Sequence, residues 1–137
     1  MSIFDSMNIA ASGMDAQRLR LNIISANIAN ADSVKTKEGG PYRRRDVVFE
    51  AVDYGKFSDL LKEVKVADVV RDDTPPKLVY DPGNPLADKN GYVAYPNINP
   101  VVEMTNLIDA MRTYQANASV VDSAKQMIQA ALGLLRA

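Results

Sequence analysis

Apolar residues recur at helical spacing along both ends of the chain, and the middle does not share that rhythm. Between Asn99 and Ala137, the positions Met104, Leu107, Met111, Tyr114, Ala118, Val121, Lys125, Ile128, Leu132 and Leu135 follow an average period of 3.5 residues, and only Lys125 breaks the apolar run. That period marks a helix that packs along another helix. Asn99 is placed to cap it, and Pro100 stands at the first helical position, where a missing N–H is harmless. At ~1.5 Å per residue the helix would be roughly 57 Å long, more than a domain of this size needs for its own core.

The first 31 residues repeat the pattern. Ser2 with Asp5 three residues on is a capping-box start. From there Ile3, Met7, Ala10, Met14, Gln17, Leu21, Ile24, Ile28 and Ala31 keep the heptad, with Gln17 the one polar member. The two termini are therefore predicted to pair as an antiparallel coiled-coil hairpin. Other apolar residues fall off these seams: Ile9, Ala16 and Ile23 on one stripe, Leu19 and Ala26 on another, and Val120, Ala124, Met127, Ala131 and Leu134 on the C-terminal helix. One partner covers one seam, so extra stripes call for further neighbours. A well-packed hairpin with an Asn/Ser/Gln-rich surface is the alternative. Gly13 inside the first helix costs about 1 kcal/mol relative to Ala; it either admits a close neighbour or is a tolerated defect. Asn22, Asn27 and Asn30 offer uncharged hydrogen-bonding groups, cheaper to bury than charges if each finds a partner.

Residues 32–99 hold six of the seven prolines and five of the six tyrosines. Lys35–Pro41 reads as a loop, Tyr42–Ala51 as a strand with Val47 and Phe49 on one face and Val48 and Glu50 on the other. Asp59–Glu63 is at most a helical turn, and Val64–Arg71, Lys77–Tyr80 and Tyr92–Tyr95 are further strands, separated by turn chemistry at 81–85 and 88–91. The predicted fold is mainly α with a small β-rich middle module. It divides into terminal helices at 1–31 and 99–137 forming one discontinuous core, and a β-rich or irregular outer module at 32–98.

Charge sharpens this division. The chain has 16 basic and 17 acidic side chains and a net charge of −1. Residues 1–31 hold only Asp5, Asp15, Arg18 and Arg20, and residues 100–137 only Glu103, Asp109, Arg112, Asp122, Lys125 and Arg136; the other 23 lie in the middle. Helices so poor in charge are usually buried on more than one side. Neither nucleic-acid binding nor membrane binding is suggested by the total. No stretch approaches the roughly 20 apolar residues of a membrane span, and the N-terminus lacks the pattern of a secretory signal peptide.

There is no cysteine and no histidine. Disulfides, thiolate nucleophiles and the commonest general base and metal ligand are thereby excluded. The Arg43–Arg45 triplet, with Lys35 and Lys37 nearby, is interrupted by Glu38, Asp46 and Glu50, and alternation would send Arg44 opposite to its neighbours. A subunit contact or solvated face suits it better than phosphates. DPGNPLADKNG (81–91) lacks the alternating acids and closing glutamate of a calcium loop and reads as a tight turn. Asn117-Ala118-Ser119 matches a glycosylation acceptor by chance, mid-helix. No catalytic constellation, cofactor site or metal site is predicted.

Three stretches are similar to one family. SANIANADSVKT (Ser25–Thr36) resembles the Asn- and Ala-rich motif that ends the N-terminal helix of rod and hook proteins. EGGPYRRRDVVFE (Glu38–Glu50) with Asp72–Met104 resembles the central region of the proximal-rod type, and EMTNLIDAMRTYQAN (Glu103–Asn117) the C-terminal motif shared across the axial family. The resemblance is to the bacterial flagellar axial proteins. It implies terminal helices forming the inner tube of a helical assembly, a middle segment forming an outer layer, and export from the cytoplasm by the flagellar type III apparatus. The destination would be the basal-body rod that crosses the periplasm as a drive shaft. The implied partners are other copies of the chain, other proximal and distal rod proteins, the rod base and the export apparatus, with no nucleic acid, membrane insertion or cofactor.

On the seams and the resemblance together, the expected assembly interface comprises Met7, Met14, Leu21, Ile24, Asn27, Ile28 and Asn30 with Glu103, Met104, Leu107, Met111, Arg112, Tyr114, Asn117, Val121, Ile128, Leu132 and Leu135. Asn27, Asn30, Glu103, Met104, Arg112, Tyr114 and Asn117 enter this set as motif positions. Lys125 is expected to reach a carboxylate on an adjacent helix or to point toward a central channel. A soluble hairpin adaptor or export chaperone is the alternative to a structural rod subunit, and a carboxylate- or lysine-based enzyme a third reading with no feature to recommend it.

Overall fold

The computed structural model describes residues 2–53 and 61–136. Two long helices, α1 (Ile3–Ala29) and α2 (Pro100–Arg136), enclose in chain order the strands β1 (Arg45–Asp53), β2 (Lys62–Arg71), β3 (Lys77–Tyr80) and β4 (Tyr92–Tyr95). Both helices begin where their caps predict. The Ser2 hydroxyl accepts from the Phe4 N–H at 3.3 Å, and the Ser2 N–H donates to Asp5 at 2.6 Å, closing a capping box. Asn99 Oδ1 accepts from the Val101 N–H at 3.0 Å. At its other end α1 stops at Asn30, whose backbone N–H and side-chain amide both donate to the Ala26 carbonyl.

The strands form two separate antiparallel pairs, β1 with β2 and β3 with β4. Lys62 and Glu63, expected in a helical turn, instead open β2 opposite Val52 and Asp53; the rest of that expected turn lies partly outside the described residues. Cross-strand pairing overrides a short local helical preference once β1 supplies a partner ladder. The register shifts between Val48 and Phe49, leaving Ala67 as the extra residue of β2. That bulge explains why alternation fails after Val66: Val64 and Val66 are half-buried, Ala67 and Asp68 exposed, and Val69 turns inward again. The segment after β3 is a turn held by its own polar groups. Asp88 Oδ1 accepts from the N–H groups of Asn90 and Tyr92, and Gly91 takes a φ of +82°, which a side chain would resist.

β1 and β2 lie on α1, and α1 lies on α2. The Ser12 hydroxyl donates to the Ile9 carbonyl and accepts from the Val64 N–H at 3.2 Å, tying one edge amide of β2 to α1. Along the helix pair, Asn27 meets Glu103, Arg20 meets Asp109, Gly13 faces Asn117, and Ile3 and Ser6 share a groove with Ala124 and Met127. The contacts climb α2 in steps of about seven residues as they descend α1. The core is small-sided: Ala10, Ala16, Ile24, Ala110 and Ala124 are its buried apolar residues on the helices, with Val93 in β4.

Candidate assembly surface and the polar clasp at its base

Which faces of the helices are covered follows from residue size rather than hydrophobicity. The heptad expectation holds for one set on each helix: Ala10 and Ile24 are buried on α1, and Leu107, Tyr114, Val121 and Ile128 are half-buried on α2. The other set is one residue out of phase. On α2 the inward positions are Glu103, Ala110 and Ala124, in place of the expected Met104, Met111 and Lys125, while Asn117 and Ala118 are both half-buried. On α1, Gly13 and Asn27 are buried, while the neighbouring Met7, Met14, Leu21 and Ile28 are only half-buried. Close approach of two backbones requires small side chains at the contact. A Cβ built on Gly13 would lie 2.8 Å from the Asn117 amide nitrogen, so the glycine makes room for that side chain.

The displaced large residues face outward. Met104 is 55% and Met111 44% exposed, and Val101, Ile108, Leu132 and Leu135 are also exposed. Arg112 is exposed, and Asn30 is half-buried in its capping role. Lys125 is exposed and makes no ion pair among the described residues.

At the base of the helix pair, α1, α2 and the entry to β1 converge on two buried polar side chains, Asn27 (0% exposed) and Glu103 (1%). Asn27 uses its full hydrogen-bonding capacity. Its amide nitrogen donates to the Arg45 carbonyl (2.8 Å) and to Glu103 Oε2 (3.0 Å), and its oxygen accepts from the Arg45 N–H (3.0 Å) and the Tyr42 hydroxyl (3.1 Å). Glu103 Oε1 accepts from Arg44 Nε at 2.7 Å, and Arg44 also reaches Asp46 at 3.0 Å. Burial alone would lower the Arg44 pKa; hydrogen bonds and charge from Glu103 and Asp46 outweigh it and hold the guanidinium above its ordinary value. Glu103 also sits in the first turn of α2, where a negative charge is favoured by the helix dipole.

The arginine triplet thus divides as alternation requires. Arg44 turns inward to Glu103, Arg43 reaches Asp73 at 3.4 Å, and Arg45 lies over the Tyr42 ring at 5.9 Å. Asn27 and Glu103, expected at the assembly interface, are instead buried within the chain, with partners, Arg44 and Tyr42, that sequence reasoning missed. The inward sense of Arg44 was the one available signal.

A long, charge-poor helix pair with an uncovered apolar stripe and a clasp of satisfied polar groups defines a structural, assembling protein. The family model for flagella basal body rod proteins matches residues 7–35, and the C-terminal model of flagellar basal body rod FlgEFG proteins matches residues 89–134. Over 98% of both chains the protein is 47% identical to the flagellar basal-body rod protein FlgC of Salmonella typhimurium, and over 99% of both it is 42% identical to the FlgC of Borreliella burgdorferi. The FlgC of Buchnera aphidicola subsp. Schizaphis graminum is 46% identical over 98% of each. The chain belongs to the FlgC family of flagellar basal-body rod proteins. It is a structural rod subunit and not an enzyme, and the adaptor reading gives way.

Proposed function

We propose that residues 1–31 and 99–137 pair as an antiparallel coiled-coil hairpin forming the axial core of a helical rod, with residues 32–98 as its outer module. Assembly joins the chain to other copies of itself, to other proximal and distal rod proteins and to the rod base. The subunit leaves the cytoplasm through the flagellar type III export apparatus and serves in the periplasm as part of a torque-transmitting shaft. Heterologous contacts repeated by a screw operation build such an open array. Resistance to shear at each boundary comes from lateral apolar area, which grows with helix length.

The observation that carries this reading is the outward stripe of α2: Val101, Met104, Ile108 and Met111 recur at helical spacing and are 71%, 55%, 52% and 44% exposed. A contiguous apolar patch of this kind on a charge-poor helix marks an interaction surface. Within the expected interface, Met104, Met111, Arg112, Leu132 and Leu135 are the residues we assign to contacts with neighbours. Val121 and Ile128, half-buried beside α1, serve the helix pair as well.

Met104→Glu or Met111→Glu tests the assignment. Either variant is expected to keep the soluble protein's helix content and melting temperature but to be missing from isolated basal bodies, leaving cells non-motile. Incorporation at the unsubstituted level would sink the assignment. Val121→Glu or Ile128→Glu should lower the melting temperature as well as assembly.

A further inference from the structure

The helix seam is made of residues that are nearly interchangeable. Gly13 faces Asn117, and the buried apolar residues of the pair include Ala10, Ala110 and Ala124. Sliding α2 by seven residues would bring Ala110 beside Asn27, Ala124 beside Gly13 and Ala131 beside Ser6, keeping an alanine at each of these steps. The length of α2 permits the slide, since it has 37 residues against 27 in α1. Packing therefore discriminates poorly between the two registers. Beyond the exposed Arg20–Asp109 pair, one feature separates them: in the slid register an alanine stands where Glu103 stood.

We propose that Asn27, with Glu103 and Arg44, is the register pin of this protein. The three side chains allow one alignment of α1 on α2 and, through the backbone of Arg45, fix where the outer module attaches. Asn27 suits the task because its amide presents a donor and an acceptor side by side. It pairs both the N–H and the C=O of Arg45, as a neighbouring strand would, and still has a proton for Glu103. A slip takes away Glu103, leaving one buried Asn27 amide proton without an acceptor and Arg44 with Asp46 alone. Losing one such buried, charge-assisted hydrogen bond is worth about tenfold in an equilibrium. Single buried polar groups that set register at a coiled-coil interface act by the same physics. The inference concerns folding within one chain and stands whether or not the partners proposed above are correct.

The absence of cysteine makes the test clean. Two doubly substituted full-length proteins, S6C/A124C and S6C/A131C, report the native and slid registers through intramolecular disulfide yield under mild oxidation. With the clasp intact, the first pair should cross-link about tenfold or more in excess of the second. Replacing Asn27, Arg44 and Glu103 together by leucine removes the three side chains of the pin while keeping apolar volume. This triple variant is expected to retain helix content by circular dichroism while the cross-linking preference collapses toward unity. A helical triple variant with an unchanged preference overturns the proposal. So does loss of helix content, which would make the clasp an element of stability and not of register. Asn27→Asp, which sets two carboxylates together, should erode the preference as well, and adding Glu103→Gln should restore part of it; no restoration counts against the pin.

Discussion

Helices α1 and α2 share one seam of small residues but have opposite relations to solvent. α1 packs against α2 and both strands of the β1–β2 pair, and Phe4 is its single exposed large apolar residue. α2 packs against α1 alone among the described elements and exposes ten: Val101, Val102, Met104, Ile108, Met111, Val120, Met127, Leu132, Leu134 and Leu135. Apolar content on α1 is thus largely covered within the chain, whereas much of that on α2 stays exposed. Equal hydrophobicity in the two sequences conceals this, because burial depends on what lies opposite.

The sharpest way to break the comparison is at the clasp, which both helices share. Glu103→Ala should destabilise the soluble protein by about 3–5 kcal/mol in chemical denaturation, since it breaks the ion pair at its buried end, leaving Arg44 only Asp46 and one Asn27 amide proton without an acceptor. A loss below roughly 1 kcal/mol, the range of an exposed ion pair, would show that solvent reaches the cluster.

Next comes a paired truncation that sets one helix against the other. Ile24→Ala on α1, at a side chain 3% exposed, should cost about 2–5 kcal/mol. Ile108→Ala on α2, at 52% exposed, should stay within about 0.5 kcal/mol in the monomer. In rod assembly the ranking at fixed folded protein should reverse. Equal monomer penalties would mean that the two helices are covered alike.

Gly13 and Asn117 offer a smaller effect. Gly13→Ala should gain about 1 kcal/mol of helix propensity only when the Asn117 side chain is also truncated to alanine. In the unsubstituted background the displaced amide offsets the gain. Additive behaviour in the double-mutant cycle would place the two residues apart.

The smallest expected effect is acidic. The backbone N–H of Thr74 donates to Asp72 at 2.9 Å, and with the Thr74 side chain and the Arg44 charge it holds the Asp72 carboxyl below its ordinary 3.8. A folded-state pKa below the unfolded value stabilises at pH above 3.8, and the contribution disappears as pH falls through the folded value. Asp72→Asn should therefore make the acid limb of the stability profile slightly shallower, measured by denaturation below pH 4, and leave the helix seam untouched.

Local chemistry alone determined much of this protein. The caps at Ser2 and Asn99, the four strands, the Asp88–Gly91 turn, the two long helices and the concentration of charge in the middle all follow from side-chain period, backbone preference and short-range hydrogen bonds. These act over a few residues and can be read along a line. The motif stretches likewise pointed to the family to which the chain belongs.

Tertiary structure decided the rest. Of two adjacent heptad phases on each helix the outer one is the more apolar, so hydrophobicity pointed to Met104 and Met111. The backbone approach at Gly13 selected Ala110 and Asn117 instead, because only short side chains fit between helices that close. Ala67 became a bulge through pairing with β1, and Arg44 found Glu103 across 59 positions of sequence. Such contacts depend on which surfaces meet, and no window along the chain contains both sides.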